Sequence, residues 1–488
     1  MSTGMSFRGK RVSSALVLVC VLVFGPGVGA DDADTLKREA VTWIDAHHGE
    51  LVELSQDVWK AAEIALREAR SSKAHADFLE RRGFTVRRGV AGMPTAFVAE
   101  FGTGSPVIGI LAEYDALPGL SQKAQVEREA ITPGGAGHGC GHNLLGTAAT
   151  GAACSVKDLL TQGKLKGTLR LYGTPAEESV GGKLYMAREK LFDDLDVCLA
   201  WHPSDDTGAD TDSSQALVDF IVEFHGKTAH AAYDPWNARS AADGAEAFTH
   251  GINLLREHVR PTVRMHYTVV AAGDQPNVVP DYAKVWCWVR DSKRDGVEEV
   301  LTRVRQIAEG AALVAGVTSR FTIQSGDYEL LVNMEGARLV HANMEWLGPI
   351  GFTDEEQMLA RRLQASAGVP ERGLSTVLTP LADAPGMPDG GSTDVGDVSW
   401  VVPTLHFSVA TAPEGVPWHS WAVVASSAMP FGKRGMNHAA KVLATTAIDL
   451  YRSPELRQSI RAEFDEKTRG QVYKGYIPDG PPPLPKGK

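Results

Sequence analysis

The sequence predicts an α/β protein, a mixed sheet flanked by helices, interrupted by a smaller α+β domain of ferredoxin-like order. Three observations carry this. The run Pro106–Ala112 (PVIGILA) is apolar without a break, as expected of a strand covered on both faces. Chemistry-bearing residues recur where predicted strands end, the place where α/β proteins tend to build their sites. Between Gln215 and Asn333 the texture changes to strand, helix, strand, strand, helix, strand.

The chain of 488 residues, 43% hydrophobic and 22% charged, is long enough for two or three domains. Residues 1–30 stand apart: Arg8, Lys10 and Arg11 precede the apolar run Ala15–Phe24, and Gly25-Pro26 leads to the small residues Val28-Gly29-Ala30. This reads as a cleaved secretory signal, so the protein is expected to be exported, to a periplasm or the medium. The apolar run is too short to span a membrane comfortably, and Gly25-Pro26 would break it. Removing the three basic residues takes the net charge from -11 to -14, which argues against a nucleic-acid partner. No later segment is long and apolar enough to cross a membrane. Cys20 leaves with the signal, and Cys140, Cys154, Cys198 and Cys287 are widely spaced. In an oxidising compartment a Cys154–Cys198 bridge stays open.

In chain order, Asp34 to Arg82 has a helical period through Leu36, Val41, Ile44, Leu51, Leu54 and Val58, and predicts two helices. Strands follow at Phe84–Arg87, Thr95–Phe101 and Pro106–Ala112, the last ending in Glu113-Tyr114-Asp115. After a polar loop, Ser121–Thr132, the stretch PGGAGHGCGHNLLGTAATG (Pro133–Gly151) sets His138, Cys140 and His142 at alternate positions. On an extended segment their side chains would point one way, and thiolate and imidazole suit a borderline-soft divalent ion. A helix of small residues begins behind Asn143. Strand Gly167–Thr174 runs into Glu177-Glu178, and strand Leu195–Trp201 into His202. Two ligands cannot close a metal site; a carboxylate and a further histidine from these strand ends can.

Residues 215–333 carry strands at Ala216–Phe224, Val263–Val270 and Ala283–Val289, with helices at Ala238–His258 and Gly296–Ala315. They form an insertion, because the metal site is not complete before them. The catalytic domain is therefore expected over 31–214 and 334–475, with a mobile tail at 476–488. Its second part holds a Gly/Pro/Asp-rich loop at Asp383–Asp397, a strand at Val401–Ser408, Pro417-Trp418-His419-Ser420, and a helix from about Gly435 to Tyr451.

Taken together, GHGCGHNLLGTAA, GTPAEE, AWHP, GKTAHAA, NVVP, STDVGDVSW and PWHSW, in that order over nearly the whole mature chain, resemble the amidohydrolase branch of the aminoacylase/carboxypeptidase metallopeptidase family. The resemblance implies a hydrolase of linear amide bonds with two divalent ions per chain, Mn2+ or Zn2+. It puts the ligands at Cys140, His142, Glu178, His202 and His419, with the Cys140 thiolate bridging, and the general base at Glu177. Neighbouring side chains diverge on extended backbone, which would let Glu178 face the ions and Glu177 the water. His230 matches a histidine that reaches across a homodimer to the oxyanion, which makes the insertion a dimerisation and lid domain. Asn277 and Arg290 match positions that contact substrate, commonly a carboxylate. His138 lies outside the usual ligands and is expected to hydrogen-bond behind the metal; Asp115, with Glu113 near it, occupies a strand end where relatives keep a carboxylate that orients a ligand.

The implied substrate is a small N-acyl or N-aroyl amino acid, with an aminoacylase or small-peptide carboxypeptidase as the alternative, and a silent metal-binding homologue as the rival from another class. Retention of Glu177 with all five ligands argues against silence. Trp418 is a candidate for stacking an aryl group, as is Trp400, which reads equally well as core. One departure stands out: the family often has Asp where this chain has Asn143.

Overall fold

The computed structural model describes residues 30–388 and 390–485, so all but the last residue of the expected signal lie outside the described residues. Its strands are β1 (Thr85–Arg88), β2 (Phe97–Thr103), β3 (Val107–Ala112), β4 (Gly167–Gly173), β5 (Val197–Ser204), β6 (Gly208–Ala209), β7 (Ala216–His225), β8 (Arg264–Ala271), β9 (Tyr282–Asp291), β10 (Thr318–Ser325) and β11 (Thr404–Ala410). Seven of them form one sheet in the order β1-β2-β4-β3-β5-β11-β6. It is mixed: β4, β3, β5 and β11 run parallel, while β1, β2 and β6 pair antiparallel at the edges.

The unbroken apolar run of β3 has its explanation in this sheet. Ile108, Ile110 and Ala112 face the helices His142–Thr161 and Pro430–Arg452, whereas Leu111 faces the opposite layer with Tyr172, Tyr185 and Phe192. Burying apolar side chains on both faces contributes roughly 25 cal/mol per Å² removed from water, so a central parallel strand has no polar side. Cys154 belongs to the first layer and Cys198 to the second, and both are free thiols. The open question of a bridge between them is answered by the sheet that separates them.

Asp34 to Arg82 forms three helices where the period predicted two: Ala30–Ala46, His48–Ala61 and Ala69–Arg81. The extra break follows Ala62, which is left-handed at φ 42°, so that Ile64 can bridge to Ala116 beside the site. Tertiary pairing there overrides a local preference for helix.

The insertion forms its own antiparallel sheet, β10-β7-β9-β8, whose fourth strand the sequence left unplaced. Helices Ala241–Leu255 and Arg294–Ala315 cover one face through Val218, Phe220, Val222, Val285 and Val289. Entry and exit lie side by side, with Leu217 and Asp327 exchanging two backbone hydrogen bonds of 2.9 Å. The expected mobile tail keeps packing contacts at its start: the Arg294 guanidinium stacks over Tyr476, and Ile477 packs beside the second core layer.

On the open face of the insertion's sheet, Trp286 donates its indole N–H to Asp219 Oδ1. Burial pushes the Asp219 carboxyl up to about 6, the bonds from Trp286 and Trp288 opposing it. The folded carboxyl therefore holds its proton more tightly than the unfolded one, and stability is lost as pH rises from about 4 through 6. Asp219→Asn keeps an acceptor for Trp286 and should raise the melting temperature by about 2–4 °C at pH 8 with no gain at pH 4. Equal shifts at both pH values would contradict this account.

Candidate metal centre

Cys140 is delivered by a turn, not by an extended strand. Gly137-His138-Gly139-Cys140 bends tightly, Gly141 is left-handed at φ 77°, and His142 is the first residue of the helix that runs to Thr161. The expected alternation, with three side chains pointing one way, is thereby corrected: His138 turns back into the core, where its Nε2 lies 3.1 Å from the Val58 carbonyl. Burial holds His138 down at about 4. Glycine at 139 leaves room for the late segment to cross, since a Cβ there would sit 3.3 Å from His419 Cα, and His419 N donates to the Gly139 carbonyl at 3.0 Å.

Glu177 and Glu178 also leave extended backbone. They open a turn after Ala176, which is left-handed at φ 63°, and the turn makes them diverge. His202 lies within β5, and His419 is left-handed at φ 55°. Positive φ at two non-glycine residues in one site is strain that the surrounding structure must hold in place.

These elements bring the five expected ligands together. Donor atoms of Cys140, His142 and His202 lie within 4.8 Å of one another, and so do those of Cys140, Glu178 and His419. Cys140 Sγ is 3.2 Å from His202 Nε2, and Glu178 Oε2 is 3.4 Å from His419 Nε2. Cys140 and His142 are buried, His202 and Glu178 are half-buried, and His419, whose side chain is 56% exposed, marks the entrance. Trp418 stands at that entrance with its ring 6.1 Å from His202. Trp400 is half-buried, with its ring tilted 5.4 Å from Tyr328 and its indole N–H donating to the Glu329 carbonyl.

Asp115 orients two of these groups at once. Its Oδ1 is 3.0 Å from His142 Nδ1 and its Oδ2 accepts from Glu178 N at 3.0 Å, which leaves His142 Nε2 as the nitrogen turned to the cluster. Asn143, where the family often has Asp, donates Nδ2 to Ser55 Oγ and to the Ser427 carbonyl. A carboxylate could give neither bond.

Electrostatically the site is overloaded with acid. Burial raises Glu177 well above the carboxylate range, with Glu113, Glu178 and Asp394 adding to it, and raises Glu178 to about 7. Burial and Glu178 push the Cys140 thiol up. His202 is held at about 4 by burial and by His142. His142 and Glu113 run the other way, toward their charged forms: Asp115, Cys140 and Glu113 outweigh burial at His142, and Lys183, His142 and His202 outweigh it at Glu113, which is held down at about 2. Divalent cations reverse this logic by favouring thiolate, carboxylate and neutral imidazole together. His142 Nε2 and Glu178 Oε1 are buried without a hydrogen-bond partner, and the sulfur, nitrogen and oxygen donors form a set that suits such ions.

Of the residues expected to bind substrate, Arg290 donates to Ser392 Oγ at 2.9 Å and lies over the Trp288 ring at 5.2 Å. His230 and Asn277 sit exposed on adjoining loops of the insertion, tied by Ala231 N donating to the Asn277 carbonyl. Their hydrogen bonds run within the insertion. One network escaped sequence reasoning: Lys183, fully buried, places Nζ 2.6 Å from both Glu113 Oε1 and Asp394 Oδ1. A lysine in GGKLYMAR reads as a solvated helix charge, and only the fold shows its partners.

Residues 213–314 match the peptidase dimerisation domain of M20 proteins. Over 468 residues, 91% of this chain and 97% of the relative, the sequence is 36% identical to one of the polypeptides of the p-aminobenzoyl-glutamate hydrolase of Escherichia coli (strain K12). The chain belongs to the M20 peptidase family. Among its M20 relatives is the Xaa-Arg dipeptidase of Homo sapiens, 29% identical over 92% of this chain and 96% of that protein. A dinuclear metal-binding M20 peptidase of Bacillus subtilis shares the fold with a TM-score of 0.57 at 19% identity, covering 84% of this chain and 99% of that one. As a member of this family the protein is a metal-dependent hydrolase of amide bonds, built as an α/β catalytic domain with an inserted dimerisation domain.

Proposed function

We propose that the protein removes the acyl or aroyl group from N-acyl or N-aroyl amino acids, p-aminobenzoyl-glutamate among them, using two divalent ions, Mn2+ or Zn2+, held by Cys140, His142, Glu178, His202 and His419. One observation carries the reading: Cys140 belongs to two separate donor groups, so a single thiolate can serve two ions. When bound, the ions would acidify a water and polarise the scissile carbonyl. The chain's residues do the rest. Glu177, half-buried and with a raised proton affinity, takes the water's proton and passes it to the leaving amine. Asp115 keeps His142 in one tautomer, and the opening at His419 and Trp418 admits the substrate. The matched dimerisation domain supports a homodimer in which His230 serves the partner's oxyanion, and the basic-then-apolar first thirty residues support export.

The likeness to a dipeptidase favours a second reading, a small-peptide carboxypeptidase. Metal analysis together with a screen of N-aroyl amino acids, N-acyl amino acids and dipeptides separates the two. Arg290 offers a guanidinium that matches a carboxylate in bidentate fashion. Amidating the substrate's α-carboxylate should therefore raise KM and lower kcat together. Equal kcat/KM for free and amidated substrates would remove Arg290 from the substrate's carboxylate.

A further inference from the structure

Glu113 follows β3 directly, is 2% exposed, and uses its two carboxylate oxygens differently. Oε1 accepts from Lys183 Nζ at 2.6 Å. Oε2 has no hydrogen-bond partner, yet it lies 3.2 Å from His142 Nε2, which has none either. At that separation an N–H aimed at the oxygen would make a bond, so the ring nitrogen is not aimed along the line between them. Two buried polar atoms left facing each other in this way are costly unless something positive rests against both. A metal ion set off that line meets the condition: two ligands each about 2.1 Å from one ion, at right angles, stand about 3.0 Å apart. Glu113, His142 and Glu177 each offer a ligand atom within 4.8 Å of one another.

We propose that Glu113 is a further ligand of the metal centre, giving Oε2 to the ion held by His142 Nε2, and that Lys183 with Asp394 aims it. The assignment rests on the dinuclear reading above and adds a carboxylate outside its five ligands. Lys183 is a positioning residue. Its backbone N–H donates to Asp394 Oδ2 at 3.0 Å while Nζ spans Asp394 Oδ1 and Glu113 Oε1, so the ammonium is fixed at both ends and holds one oxygen of Glu113 away from the ion. The other oxygen is thereby presented singly. Lys183 also offsets charge that two divalent ions leave over, since Cys140, Glu113, Asp115, Glu177, Glu178 and Asp394 all bring acid to this region.

The test needs no substrate. Competition with a chelator, using Zn2+ or Mn2+ alone, reads the affinity of each ion, and the visible bands of Co2+-loaded protein read coordination number. Glu113→Gln should bind one ion normally and the other about tenfold or more weakly, with a Co2+ spectrum of lower coordination. Because that change leaves buried Lys183 short of a partner, the double variant Glu113→Gln/Lys183→Met removes the pair together and should show the same selective loss. Lys183→Met alone should weaken the same ion to a smaller degree. Two ions at wild-type affinity with an unchanged Co2+ spectrum, in either folded Glu113 variant, would overturn the assignment. A wild-type chain that binds no divalent ion would overturn the dinuclear reading as well.

Discussion

Glu177→Gln should keep its metal and lose about 10²- to 10⁴-fold in kcat, the span that a positioned acid–base group contributes. Glu178→Gln should lose metal instead. The two residues are neighbours in sequence and carry the same chemical group, so the difference must come from placement. Glu178 faces Cys140 and His419, and its backbone N–H is tied to Asp115, which fixes it inside the ligand set. Glu177 faces Glu113 and His142 in surroundings that make its proton hard to remove. A base with raised proton affinity accepts a proton from water more readily and still returns it to an amine. Elemental analysis and steady-state kinetics on both variants check this. Metal lost from Glu177→Gln and retained by Glu178→Gln would exchange the base and the ligand.

The outline of the fold was legible in the sequence because its strands and helices repeat at the periods that burial demands. β3 is apolar on both faces since both are covered, and the insertion reads as α+β because its strands alternate. The ligand types were legible too, since Cys, His and Glu in glycine-rich surroundings have few other uses at such density. Less visible was the route by which they meet. His138 looked equivalent to Cys140 and His142 by spacing, and the tight bend over Gly137–Cys140 destroys that equivalence. Lys183, Glu113 and Asp394 are separated by 70 and 211 residues and have no local signature. A buried ion pair depends on partners brought by topology, which a local pattern does not encode.

Mixing inactive Glu177→Gln chains with inactive His230→Ala chains should restore about a quarter of wild-type activity if each site borrows His230 from its neighbour. The number follows from assortment: about half of the dimers are hybrids, and in each hybrid one site has both an intact Glu177 and a partner's intact His230. The geometry of His230 suits the donor role. Its Nδ1 accepts from Ala232 N and Tyr233 N, each at 3.1 Å, which fixes the ring proton on Nε2, pointing away from its own loop. The residue is exposed, and so are Tyr233 and Trp236 beside it, at 80% and 72%. Large apolar side chains at that exposure, next to a fixed N–H donor, are what a loop needs to seat against another protomer. If His230 served its own chain, no hybrid would contain a complete site, and mixed chains would stay as inactive as the parents.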